Sequence, residues 1–261
     1  MTSFERRGWA VFPSEPATVD WARHALEAAD AAVSDPGLAD MLQCEGTWFV
    51  GLEALPNDAA GAVGASGPLR GEAAEAAGRI CGGMPALHRA QLSITYPGYP
   101  RRRHGESDAA FRYRRDRDAA HVDGVLGVGT PKRRFVREPH AFILGIMLTE
   151  ADAGAAPLVA WEGSHRVMRE AFRRAFAGQD AQNPGDVDVT EAYVAARRVV
   201  FETCRRVVLT GPPGTGVLLH RLTLHGVAPW ADGAQADPRG RAIAYFRPAI
   251  DGDVAAWLAA S

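Results

Sequence analysis

Two short stretches hold the residues best suited to chemistry: Ala119-Ala120-His121-Val122-Asp123-Gly124 and, far downstream, Leu219-His220-Arg221-Leu222-Thr223-Leu224-His225-Gly226. His121 and Asp123 flank a single residue, so on an extended strand both side chains leave one face, as two ligands of one metal must. A histidine arriving from a distant strand completes the set of two imidazoles and one carboxylate. That facial set holds non-haem Fe(II) and leaves coordination positions open. A lone histidine is more often a packed structural residue, and His-x-Asp is a short motif. Asp123 strengthens the metal reading, because an unpaired carboxylate is costly to bury in an apolar-flanked strand.

The third ligand lies between His220 and His225. On a straight strand Val217, Leu219, Arg221, Thr223 and His225 share one face, while Leu218, His220, Leu222 and Leu224 share the other. His220 falls on the leucine face, which suits a hydrogen-bonded core histidine. His225 precedes Gly226 at the strand end, where close approach to a ligand is easier, and is the favoured choice. Beyond it, Arg239 and Arg241 sit on one predicted strand face. A guanidinium suits a carboxylate because its planar fork donates two parallel hydrogen bonds. Arg241 lies deeper in the strand and is the better clamp; the bland reading of each is a surface salt bridge. Gly211-Pro212-Pro213-Gly214-Thr215-Gly216 imitates a P-loop, but Val217 and Leu218 stand where Lys and Ser or Thr are required, so it reads as a turn.

The elements that must position these residues follow from periodicity. Gly8 to Phe12 is a short strand closed by Pro13, and Thr18 to Val33 carries an amphipathic helical pattern ended by Pro36-Gly37. Thr47 to Leu52 reads as a strand and Pro68 to Cys81 as a helix. Leu87 to Tyr96 alternates, with Gln91, Ser93 and Thr95 on one face; that face is either solvated or a polar barrel interior that contacts a co-substrate. An arginine-rich loop from Arg101 to Asp118, including Arg112, leads into His121, and a basic turn holding Lys132 follows Asp123. Such runs are usually solvated surface, with an anion-attracting lid as the alternative. Ala141 to Leu148 is apolar on both faces, as for a strand covered on each side. Pro157 to Trp161 is a strand, Ser164 a candidate N-cap for a helix from Val167 to Phe176, Asn183-Pro184-Gly185 a break, and Thr190 to Cys204 a helix. Strands return at Arg206 to Leu209, Val217 to His225 and Arg241 to Phe246. Trp161 is a candidate pocket wall, although an aromatic there is more often core. A helical front (1–86) and a strand-rich remainder (about 87–248) predict a β-sandwich or barrel decorated with helices.

The chain has 261 residues, enough to bury a large core as a single domain spanning 1–261. Its net charge of −2 offers no global field for nucleic acid or an anionic membrane, which leaves a small-molecule substrate as the expected partner. Three separated cysteines argue against a disulfide framework and fit a reducing cytoplasm. No leader and no apolar run near the roughly 18 residues of a membrane span is evident. Oligomeric state is not legible.

His121-Val122-Asp123, then Gly163-Ser164-His165, then His225-Gly226 with an arginine on the next strand, together resemble the phytanoyl-CoA dioxygenase family over roughly Leu87 to Pro248. The resemblance implies a mainly β protein with flanking helices and a double-stranded β-helix core, jelly-roll and cupin-like. It implies Fe(II) on His121, Asp123 and His225, with 2-oxoglutarate as co-substrate chelating the iron, its far carboxylate on Arg241 or Arg239, and O₂ as oxidant. Hydroxylation of a small organic substrate is the default outcome, with desaturation, epoxidation or ring formation left open and halogenation disfavoured, since related halogenases lack the carboxylate ligand. The basic stretches Arg101 to Arg117 and Lys132 to Arg134 suggest an anionic group on that substrate. Two features depart from the pattern. Val227 replaces a serine that follows the distal His-Gly in many members, and the loop Ala228 to Pro238 places the arginine later than usual. The competing readings are a cupin-like metalloenzyme without 2-oxoglutarate and a non-catalytic small-molecule-binding barrel.

Overall fold

In a computed structural model the described residues are 3–177, 184–250 and 254–259; Asn183, where a break is expected, lies outside them. The chain runs α1 (Ser3–Arg7), β1 (Trp9–Phe12), α2 (Pro16–Val33), β2 (Leu42–Gln43), β3 (Trp48–Gly51), α3 (Glu72–Cys81), β4 (Gln91–Thr95) and α4 (Asp108–Asp116). The hairpin β5 (Val125–Val128) and β6 (Arg133–Val136) follows, then β7 (Phe142–Met147), β8 (Leu158–Trp161), α5 (Ser164–Phe176) and α6 (Thr190–Thr203). The last elements are β9 (Arg206–Leu209), β10 (Gly216–His220), β11 (His225–Val227), β12 (Arg241–Phe246) and α7 (Val254–Ala259).

Two antiparallel sheets carry the architecture. The larger has seven strands in the order β1-β10-β7-β12-β4-β3-β2, and the smaller has three, β11-β8-β9. Strand alternation decides which side chains enter the space between them. Ile143, Val217, Leu219, Ile243 and Tyr245 of the large sheet meet Leu158, Ala160 and Leu209 of the small one in a shared buried cluster. The intervening residues of the large sheet, among them Leu92, Ile94, Leu144 and Phe246, face outward onto α2 and α3. β7 is therefore buried at every residue, as its two-sided apolar sequence predicts. The outer face of the small sheet, Val159 and Trp161, packs on Met168 and Phe172 of α5 and on Tyr193 of α6.

α2 forms because Trp21, Ala22, Ala25, Leu26 and Ala29 recur at helical spacing and line its buried side. Its alanines let the helix approach the sheet closely, and the Trp21 indole N–H, which burial would otherwise leave unpaired, donates to Gly61 O at 2.7 Å. Among the described residues no helix is long and apolar enough to cross a membrane. All three cysteines are free.

Four local expectations are corrected. The strand expected from Val217 to His225 is two strands: β10 ends at His220 in the large sheet, and β11 starts at His225 in the small one. The parity argument between the two histidines thus spans a sheet crossing. The expected loop from Arg101 to Asp118 contains α4, capped by the Ser107 hydroxyl, which accepts from Ala110 N–H. Ser164 is not an N-cap; Gly163, at φ +81°, occupies that position and Ser164 begins the helix. His121 to Asp123 is not a strand either, since only His121 pairs, through a single bridge to His225.

Gly226 shows why that bridge needs a glycine. A Cβ there would stand 2.1 Å from the Asp118 carbonyl oxygen, because the backbone entering the His121 segment crosses directly over β11. Gly226→Ala is expected to destabilise the fold by about 1–3 kcal/mol, read as a lower urea midpoint with an unchanged slope.

Candidate metal centre

His121 sits just after α4 and His225 opens β11. Their backbones exchange hydrogen bonds, His121 N–H to His225 O at 2.8 Å and the reverse at 3.1 Å. Neither segment lies in a long ladder, so side chains from elsewhere complete their backbone hydrogen bonding. Tyr113 of α4 donates its hydroxyl to Ala120 O at 2.6 Å, and the Val122 N–H donates to the Tyr193 hydroxyl of α6 at 3.1 Å. On the other side Leu224 N–H donates to the Ser164 hydroxyl at 2.9 Å, and Thr223 donates to Gly8 O at 2.7 Å.

The result is convergence. His121 Nε2 lies 3.0 Å from Asp123 Oδ1 and His225 Nε2 lies 3.7 Å from Asp123 Oδ2. One ligand atom from each residue falls within 4.8 Å of the others. Both Nδ1 atoms face carbonyl oxygens, Ala119 O at 3.0 Å and Thr223 O at 2.9 Å. A carbonyl only accepts, so each Nδ1 carries a proton and Nε2 is the atom each ring turns toward Asp123; His121 Nε2 hydrogen-bonds to that carboxylate, and a bound metal would take the place of its proton. Two imidazole Nε2 atoms and a carboxylate converging on one point make a cation site, and two nitrogens plus one oxygen suit a divalent transition ion. The backbone carbonyls behind the rings fix the tautomers, as second partners of metal-bound histidines do.

The electrostatics agree. Asp123 keeps only 12% of its side chain accessible, yet it sits well below the usual carboxylate range: enclosure opposes its charge, and the His121 hydrogen bond with the charges of His225 and Arg247 outweighs that. Burial depresses His225 to about 4, so its ring is neutral at neutral pH. Enclosure also works against a charged His121, but the hydrogen bond and charge of Asp123 prevail and the net shift is upward. His220, pushed down to about 2 chiefly by burial, is held instead by Leu222 N–H, which donates to its Nδ1 at 3.0 Å.

A cavity of about 220 Å³ opens on the three ligands, lined also by Trp48, Val50, Leu52, Gln91, Ser93, Ile143, Leu158, Val227, Tyr245 and Arg247. The Gln91 and Ser93 face is thus barrel interior. Arg247, two residues beyond Tyr245 on the inward parity of β12, reaches Asp123 Oδ2 at 3.4 Å and donates to Gln91 Oε1 at 2.7 Å. The reading of the sequence missed it, although the 241-243-245-247 alternation identifies it. A larger depression of about 730 Å³ runs along α3 and lies apart from these groups.

Arg241 is 4% exposed, opposite Thr95 of β4. Its Nη2 donates to Ala156 O at 2.5 Å, while among the described residues Nε and Nη1 have no hydrogen-bond partner and the buried Thr95 and Tyr99 hydroxyls have none either. Burial lowers the Arg241 pKa, and among the described residues no carboxylate pairs with it. Unpaired buried donors around a guanidinium fit an incoming carboxylate. Tyr245, which lines the cavity, interacts with Arg241 behind it.

Other candidates lie elsewhere. Arg239 precedes β12 rather than sharing its face, and its exposed guanidinium donates twice to Asp237 at 2.9 Å. Trp161 points outward to Phe201, since Leu158 and Ala160 take the inward parity of β8. Arg112 and Lys132 are exposed and do not line the cavity.

No protein-family model matches the chain, and no curated protein matches it. Solved structures do. The chain covers 96% of its length and 93% of AviO1 from Streptomyces viridochromogenes Tue57, with TM-score 0.51 and 19% identity. It covers 95% of its length and 84% of SnoK, a non-heme alpha ketoglutarate dependent carbocyclase from nogalamycin biosynthesis, with TM-score 0.50 and 14% identity. The chain is a double-stranded β-helix. In this double-stranded β-helix the ligand cluster lies where the two sheets meet at the start of β11, and Arg241 projects inward from the last core strand. Titration with Co(II) or Fe(II) under argon is expected to show one ion per chain, with affinity reduced at least tenfold in His225→Ala. Affinity should fall as pH drops through the raised His121 value, because the proton then takes the lone pair the metal needs.

Proposed function

We propose that this protein is a non-haem Fe(II)- and 2-oxoglutarate-dependent oxygenase acting as one domain on a small organic molecule, with hydroxylation as the outcome. The observation that carries the reading is a convergent cluster of two imidazoles and a carboxylate in one barrel with a buried arginine that has no carboxylate partner among the described residues. The co-substrate dependence of SnoK supports the same assignment.

His121, Asp123 and His225 would hold Fe(II) on one side and leave the cavity side open. Arg241, with Thr95 and Tyr99, would bind the far carboxylate of 2-oxoglutarate; Val227, where a serine hydroxyl is common, contributes only bulk, so the carboxylate rests on those three groups. Fe(II) and 2-oxoglutarate together supply activation of O₂ for oxidation of a substrate C–H bond, with release of succinate and CO₂. Arg247 keeps Asp123 anionic and in place, and Ile143, Leu158 and Val227 exclude water from the reacting centre. A carboxylate in the third ligand position leaves no vacancy for halide, which favours oxygen transfer.

The two rivals, a cupin-like metalloenzyme without 2-oxoglutarate and a non-catalytic barrel, part from this reading at Arg241. Arg241→Ala is expected to leave Fe(II) affinity within about twofold and to cut succinate formation from 2-oxoglutarate by about 100-fold or more, since two charge-assisted hydrogen bonds are lost. Undiminished succinate release in the variant, or none in the wild type with iron bound, contradicts the assignment.

A further inference from the structure

No arginine or lysine of the basic stretches that suggest an anionic substrate lines the cavity itself, although the Arg103 guanidinium lies over the Trp48 ring, and several of their charges are paired. Arg102 pairs with Asp108 at 2.6 Å, Arg114 with Glu106, and Arg133 with Asp188 at 2.5 Å. The one lysine-or-arginine side chain lining the cavity, Arg247, is engaged by Asp123 and Gln91.

What the cavity does offer is apolar and continues to the surface. Trp48, Val50 and Leu52 alternate along β3 and its end, so all leave the inward face, while Phe49 faces the helices. Leu52 is 53% exposed, above every other large apolar side chain among the described residues. Trp48 is preset as a wall. Its indole N–H donates to Ser93 Oγ at 3.1 Å, its ring meets Tyr99 edge-on at 5.5 Å, and the Arg103 guanidinium lies over it at 5.3 Å. An aromatic ring fixed in this way presents stacking surface without an ordering cost on binding.

Size points the same way. At about 220 Å³ the cavity lies below the roughly 300–1,000 Å³ of ligand pockets, and 2-oxoglutarate must share it. A substrate of ordinary size can insert only its reacting edge; the rest must lie along the strip from Trp48 to Leu52.

We infer that the substrate is an uncharged compound with a flat, ring-bearing apolar face, which packs on Trp48, Val50 and Leu52 while one edge reaches His121 and Asp123. This inference rests on the oxygenase reading for the meaning of that edge. Binding to the strip is measurable without it.

The test is a matched pair of fluorescent probes on metal-free protein. N-phenyl-1-naphthylamine is uncharged, and 1-anilinonaphthalene-8-sulfonate carries the same ring systems with an added anion. The uncharged probe is expected to bind more tightly than the sulfonate, and Trp48→Ala to weaken it about tenfold, with recovery in Trp48→Phe. Leu52→Asp, at an exposed position that folding does not depend on, should weaken it several-fold. Tighter binding of the sulfonate, or uncharged-probe affinity unchanged in both Trp48→Ala and Leu52→Asp, overturns the inference. Repeating the titration with Fe(II) and 2-oxoglutarate separates the two claims: if neither is taken up, the oxygenase reading fails while the probe result still decides the surface.

Discussion

The paired backbone hydrogen bonds between His121 and His225 bring two imidazoles from distant parts of the chain side by side, with ring centroids 4.7 Å apart. Each segment that carries them is too short to hold itself in register. Tyr113 and Tyr193 from the helical layer fasten one, while Ser164 and Gly8 fasten the other. The flanking helices therefore do more than cover apolar sheet; they supply the hydroxyls that settle the ligand-bearing backbone. Gly226 is the corresponding constraint from below, because any side chain there would strike the chain crossing above it.

Once the rings are placed, charge distribution in the barrel follows. Asp123 is an anion enclosed by two imidazoles and Arg247, and Arg241 is a cation enclosed with unpaired hydroxyls at the other end of Tyr245. A guanidinium buried with no carboxylate partner among the described residues is unfavourable for folding alone. On the proposed function a metal ion would complete the Asp123 end and the far carboxylate of 2-oxoglutarate the Arg241 end. The remaining lining is apolar, which keeps the dielectric low where these charges act.

Much of this was legible in residue order. The alternation of β4, the two-sided burial of β7, the helices α2 and α6, and the placing of His121 beside Asp123 follow from local pattern. His225 was separable from His220 only in part: parity assumed one straight strand, whereas the chain turns at Arg221 to Leu224 and changes sheet, a long-range event with no local signature. Trp161 was misplaced for a related reason. A strand covered on both faces carries apolar residues at both parities, so sequence cannot say which parity looks inward. In the arginine-rich stretch charge is visible in sequence and pairing is not; the acidic partners Glu106 and Asp108 lie within a few residues, but only folding shows that they pair with Arg114 and Arg102. Arg239 is the same case, held by Asp237.

The central claim is that His121, Asp123, His225 and Arg241 form one binding unit for iron and 2-oxoglutarate. Anaerobic addition of Fe(II) and 2-oxoglutarate to metal-free protein, followed in the visible spectrum, tests it most directly. The account predicts the weak charge-transfer band of an iron-chelated 2-oxo acid, absent with either component alone and absent in His225→Ala. A wild-type spectrum that stays featureless while iron is bound would contradict it, leaving the three ligands to serve a metal without this co-substrate.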